Sequence, residues 1–154
     1  MKRLLLVFIL IGLLVAACSP KVGLPLPYGA HDLWSGRDIH DAILDYSPDY
    51  RYHVIVYVDF DCHYCLAELD SLQQAYGDFK RSGAEVVVLD LGDSDARVLQ
   101  IVTERSYLFP IVVGLPQSFL PAVGTPYTEL YWGAISMKVW VGAVSADEIR
   151  AAMR

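Results

Sequence analysis

Two cysteines, Cys62 and Cys65, stand two residues apart with His63 and Tyr64 between them. Disulfide exchange needs a thiolate that attacks a sulfur and a second thiol that resolves the mixed disulfide. The spacing lets the first cysteine sit at a helix N-terminus while the second lies one turn in. A helix N-terminus carries partial positive charge and free N–H groups, which favour a thiolate there. Cys62 is therefore the expected nucleophile and Cys65 the resolving thiol. His63 favours that thiolate further if protonated, and is only a solvated residue if it turns outward. Tyr64 either packs beside the cysteines and faces a substrate, or covers the edge of the helix. A disulfide that staples a fold gains more from closing a long loop than a tiny one. This pair is placed for reversible redox chemistry rather than for stabilisation.

Other chemistries fit the residues less well. A zinc site takes four ligands, usually Cys and His. The third cysteine, Cys18, lies far upstream at the end of an apolar N-terminal run, and His31, His40, His53 and His63 all lie upstream of or inside the motif. No metal and no cofactor is implied. A peroxidatic cysteine calls for Pro-x-x-x-Thr-x-x-Cys, but Ile55 and Asp59 occupy the proline and threonine places.

The motif needs a strand before it and a helix after it, and the flanking patterns supply both. Residues 52–60 (YHVIVYVDF) are β-branched, aromatic and nearly all apolar, as in a central strand buried on both faces. Leu66, Leu69, Leu72, Tyr76 and Phe79 follow at helical spacing, and Gly83 closes that helix. Residues 84–91 read as a second buried strand. Asp93 or Ser94 can cap a helix carrying Val98, Leu99 and Val102. Residues 109–113 form a short extended piece, 114–124 a loop, and 127–133 and 136–141 a hairpin turning at Gly133-Ala134. Ser145-x-x-Glu148 is a capping box for a last helix. A short helix is also expected over residues 36–46, ended by Ser47-Pro48. The order predicts an α/β fold, a central mixed sheet flanked by helices.

The N-terminus reads as an export signal. Lys2 and Arg3 precede an apolar run over residues 4–17, too short to span a bilayer comfortably. Small residues before Cys18 resemble the bacterial lipobox. That resemblance implies cleavage before Cys18, lipid attachment there, and anchoring in the cell envelope facing the periplasm or exterior. Ser19 lacks the aspartate that retains some lipoproteins in the inner membrane, which points to the outer membrane where the source has one. Residues 18–30, with Pro25 and Pro27, read as a tether, and 31–154 as one domain. Removing the 17-residue leader from 154 residues leaves 137, and removing its two basic residues moves the formal charge from −6 to −8. An acidic chain of this kind lacks the basic patch that nucleic acid requires.

Taken together, residues 52–153 resemble membrane-tethered thioredoxin-like proteins of the TlpA/ResA type. The resemblance rests on Cys62-x-x-Cys65 after a buried strand, on Glu68 three residues past the second cysteine, on Phe109-Pro110, and on Gly124-Thr125-Pro126-Tyr127. It implies a thioredoxin-like fold and a thiol-disulfide oxidoreductase acting on thiols or disulfides of exported proteins. A reductant role, fed by a membrane electron-donor protein and tied to cytochrome c maturation, is part of that implication. It further implies a cis Pro126 lying against the disulfide, with Thr125 offering its backbone to a substrate strand, and a Glu68 that handles protons. The buried aspartate of thioredoxin would fall at position 56, which is Val56 here, so Asp59 is the second candidate acid. Sco-like copper carriers have a wider cysteine spacing and a later histidine, which this chain lacks. The His63-Tyr64 core, Leu66 in place of a frequent basic residue and Asp70 in place of a frequent proline depart from the pattern, and both directions of electron flow stay open. A non-catalytic lipoprotein with a structural Cys62–Cys65 disulfide on the same scaffold is the alternative.

Overall fold

The chain was analysed as a computed structural model, which describes residues 49–93, 95–113 and 124–154. The expected signal peptide, Cys18, the tether, the helix over 36–46 and the loop over 114–123 lie outside the described residues. The elements in chain order are β1 (Tyr52–Val58), α1 (His63–Arg81), β2 (Ala84–Asp90), α2 (Asp95–Arg105), β3 (Ile111–Val112), β4 (Tyr127–Trp132), β5 (Ile135–Val141) and α3 (Ala146–Ala152). They form the expected mixed sheet, in the order β3-β2-β1-β4-β5.

The β-branched run of β1 occupies the centre, parallel to β2 and antiparallel to β4. Such residues suit a pleated surface packed on both sides. Every residue of β1 after Tyr52 is buried. Alternation splits these side chains between two cores. Val54, Val56 and Val58 join Leu69, Leu72 and Phe79 of α1, while Ile55 and Tyr57 join Val87, Leu89 and Val112 on the other face.

Three elements differ from the sequence expectation. The first strand stops at Val58 rather than at residue 60, because the next backbone groups are taken up in a turn. There the Cys62 N–H donates to the Asp59 carbonyl (3.1 Å) and the Phe60 N–H to Asp93 Oδ2 (2.8 Å). In α2 the buried stripe is Val98, Ile101 and Val102, with Leu99 in solvent, since positions i, i+3 and i+4 share a face and i+1 does not. β3 keeps only two residues: Pro110 has no N–H to pair, although its carbonyl accepts the Val88 N–H at 2.9 Å.

The ends that hold α1 in place are local and strong. Gly83, at φ +75°, terminates it, and the Gly83 carbonyl accepts N–H groups of Arg51 and Tyr52. α3 begins with the expected capping box, Ser145 and Glu148 each bonding the other's backbone. The Tyr52 hydroxyl donates to the Met153 carbonyl (2.7 Å), and this bond closes the far end of the sheet against α3.

Candidate active site

The turn that ends β1 delivers Cys62 to the N-cap of α1, with extended backbone at φ −83° and ψ 114°. Its sulfur accepts the Cys65 N–H at 3.4 Å. This N–H is one of the donors that a helix start leaves without an intrahelical partner. It therefore points at the atom that must carry negative charge during attack. Cys62 is half-buried and Cys65 fully buried beneath it, and both are free thiols, the reduced form of the pair. Burial pushes the Cys65 thiol up to about 12, while the Asp59 backbone and Thr125 bond its sulfur and pull the other way. The structure thus brings Cys62, Cys65, the Asp59 backbone and Thr125 to one point.

Pro126 is buried at that point, and the Thr125–Pro126 peptide is cis, as the resemblance implies. Register explains the convergence. Tyr57 of β1 pairs with Tyr127 of β4, so Thr125 and Pro126 arrive beside the end of β1 from which Cys62 departs.

Glu68 lies one turn past Cys65 on the same buried face of α1 and is 2 % exposed. Its Oε1 accepts the Thr128 hydroxyl at 2.6 Å and its Oε2 the Val144 N–H at 3.3 Å. Burial raises its pKa from 4.5 to about 7, and these two donors only partly offset the rise. Thr128 is the cross-strand partner of Val56. The buried carboxylate thus reaches, from the helix, the neighbourhood of the strand position that thioredoxin fills with aspartate.

Asp59 does not occupy that space. It is exposed, and its Oδ1 accepts the Asp61 N–H at 2.8 Å. Its carboxylate belongs to a surface cluster with Asp61 and Asp93, whose oxygens lie within 4.8 Å of one another. These oxygens already serve the turn: Asp93 holds the Phe60 N–H, and Asp61 pairs with Arg97 at 3.3 Å. His63 and Tyr64 are both exposed and their rings lie against one another at a tilt of 39°, centres 3.8 Å apart. His63 therefore turns outward, and Tyr64, 60 % exposed, forms an aromatic rim beside Cys62. Asp70 accepts the hydroxyl of fully buried Tyr107 at 2.8 Å and pairs with Arg105.

Sequence reasoning missed Thr128 and Val144 as partners of Glu68. The signal for Thr128 was there: it shares strand parity with Leu130, and a hydroxyl on an inward face needs a buried polar partner. Val144 gives no such signal, because it acts through its backbone.

The chain belongs to the AhpC/TSA family, which matches residues 42–140. It carries the Cys-His-Tyr-Cys motif there, with Ile55 and Asp59 where a peroxidatic pattern has proline and threonine. Its fold is that of several solved thioredoxin-family structures. A thiol:disulfide interchange protein from Chlorobium tepidum shares 14% identity at a TM-score of 0.61, over 71% of this chain and 85% of that one. A secreted thiol-disulfide isomerase from Corynebacterium glutamicum shares 17% identity at 0.64, over 72% of each chain. StoA from Bacillus subtilis shares 16% identity at 0.60, over 70% of this chain and 86% of that one. No curated protein sequence matches the chain.

Proposed function

We propose that this protein is a thiol-disulfide oxidoreductase that reduces disulfides of exported proteins through Cys62 and Cys65. The observation that carries the reading is the stacking of a half-exposed sulfur at the start of α1 over a buried second thiol. A staple would have no need of one accessible member. In the forward step the Cys62 thiolate attacks one sulfur of a substrate disulfide, forming a mixed disulfide and expelling the other substrate sulfur as a thiolate. Cys65 then loses its proton and attacks Cys62 Sγ. The Cys62–Cys65 disulfide forms, the second substrate sulfur leaves, and two electrons have passed to the substrate.

The second step has the harder proton problem, because Cys65 is buried and holds its proton well above neutral pH. Glu68, one turn away and titrating near 7, is the group we assign to receive it. Thr125 presents backbone to the incoming chain beside Pro126, and Tyr64 contributes an exposed aromatic contact.

The leader and Cys18 support export and lipid anchoring in the cell envelope, with the outer membrane favoured by Ser19. A structural neighbour described as secreted agrees with an extracytoplasmic role. A membrane protein would then restore the dithiol after each turnover, and cytochrome c maturation is the assembly process that the TlpA/ResA resemblance suggests. Equilibration of the soluble domain in thiol redox buffers tests the reading. A catalytic pair should have a potential above about −300 mV; one far below it would mark a structural bond that envelope thiols cannot open.

A further inference from the structure

β5 has properties that the cysteine chemistry does not use. It is the edge of the sheet: among the described residues only β4 lies beside it. Its outward N–H and C=O groups form the open row that another chain can pair with. Ile135, Met137, Val139 and Val141 alternate along it, and each is 42–62 % exposed. Between them stands exposed Lys138, its Nζ 4.8 Å from the ring of half-buried Trp140. The strand also leads to the cysteines. Val141 pairs with Tyr127, and the Gly142 N–H donates to the carbonyl of Pro126 at 2.9 Å.

We propose that β5 docks the disulfide-bearing substrate protein as an added strand, through an extended segment with apolar residues at alternate positions and a carboxylate opposite Lys138. This rests on the thiol-disulfide function proposed above and names the feature by which substrates are chosen. Pairing of backbone groups supplies affinity, and alternate side chains supply selection. Lys138 at the middle of the strand argues against a second copy as occupant. Two β5 edges centred on each other would set Lys138 against Lys138, and directly opposed like charges destabilise a strand pair. A lipid surface fits no better, since hydrocarbon leaves a row of backbone donors and acceptors unsatisfied. β5 lies two strand spacings from β1, roughly 10 Å. An extended spacer of about four residues therefore links a disulfide at Cys62 to a segment on β5.

The test uses the reduced protein in single turnover against three oxidised peptides. All carry one short disulfide loop. The second adds a four-residue spacer and an apolar alternating strand with a central glutamate, and the third is the second with alternate backbone nitrogens methylated. The tailed peptide is expected to react about tenfold faster at subsaturating concentration. The methylated tail should lose that gain, as should Val139→Glu and Lys138→Glu proteins, with their rates on the short peptide unchanged. A tail without effect, or a gain that survives methylation, overturns the proposal. So does a concentration-dependent dimer, or vesicle binding, that Val139→Glu abolishes. If even the short peptide is not reduced, the exchange function itself fails and takes this proposal with it.

Discussion

Helix α1 is bracketed by two buried glutamates, and they are buried for opposite reasons. Glu85, at the start of β2 under the last turns of the helix, is met by a cation: its Oε2 lies 2.7 Å from Lys80 Nζ, and its Oε1 accepts the Tyr76 hydroxyl at 2.9 Å and the Val86 N–H at 3.1 Å. Burial is the largest single influence on Lys80 and works against its charge, but the bonds to Glu85 and Tyr50 and the attraction of Glu85 and Tyr76 together outweigh it and raise the lysine's pKa. Glu68, under the first turns, has two neutral donors, Thr128 and the Val144 N–H, and its pKa rises to about 7. The same residue type at the same depth is therefore paired with a cation at one end and a proton store at the other. What separates them is the compensating cation, and the end without one among the described residues carries the cysteines.

Four substitutions would break or sharpen that contrast. The largest effect belongs to Cys62→Ala, which should abolish reduction of an oxidised peptide, a loss of at least about a thousandfold, while leaving the folded far-UV spectrum intact. Next is Glu68→Gln. Resolution by Cys65 should slow by about tenfold to a hundredfold and lose its rise near pH 7, seen in stopped-flow traces across pH 5 to 9. The same variant has a stability signature whose sign follows from the raised pKa. Between about pH 4.5 and about 7 the folded wild type holds a proton that the unfolded chain has lost, so its stability falls as pH rises through that window and levels off above it. Glu68→Gln should remove that fall, by about 3 kcal/mol at most, in urea melts at pH 5 and pH 8.

Lys80→Met tests the other end. It leaves the carboxylate of Glu85 buried without its cation and should cost about 1–3 kcal/mol, discounted because Lys80 is one-third exposed. Peptide reduction and its pH profile should not change. A shifted profile would mean that the two glutamates are coupled along the helix and not independent. The smallest effect is expected from Tyr107→Phe, which removes the bond to Asp70 and should cost about 1 kcal/mol with little change in rate.

The contrast was only half legible in the sequence. Cys62-x-x-Cys65 after a β-branched run placed the sulfurs at a strand-to-helix junction, because local spacing alone sets that geometry. Glu68 and Pro126 were found through resemblance; in the structure the Thr125–Pro126 bond is cis and Glu68 is buried one turn past Cys65. What sequence could not reveal is long-range pairing. Glu68 meets Thr128, and Glu85 meets Lys80 and Tyr76, by strand register and helix phase that no local pattern states. Asp59 was a reasonable second acid on proximity to Cys62, but its turn faces it to solvent. Leu99 was misplaced for a related reason: one residue of helical phase separates the core face from the solvent face.

The division of labour between the two sulfurs is the centre of the account, and intact-mass analysis tests it most directly. Cys65→Ser protein mixed with an oxidised peptide should accumulate a one-to-one mixed disulfide through Cys62 that cannot resolve. The wild type under the same conditions should release reduced peptide and gain an internal disulfide. Cys62→Ser should form no adduct, because Cys65 is buried and protonated. An adduct on Cys65, or none on Cys62 in the Cys65→Ser protein, would contradict the account.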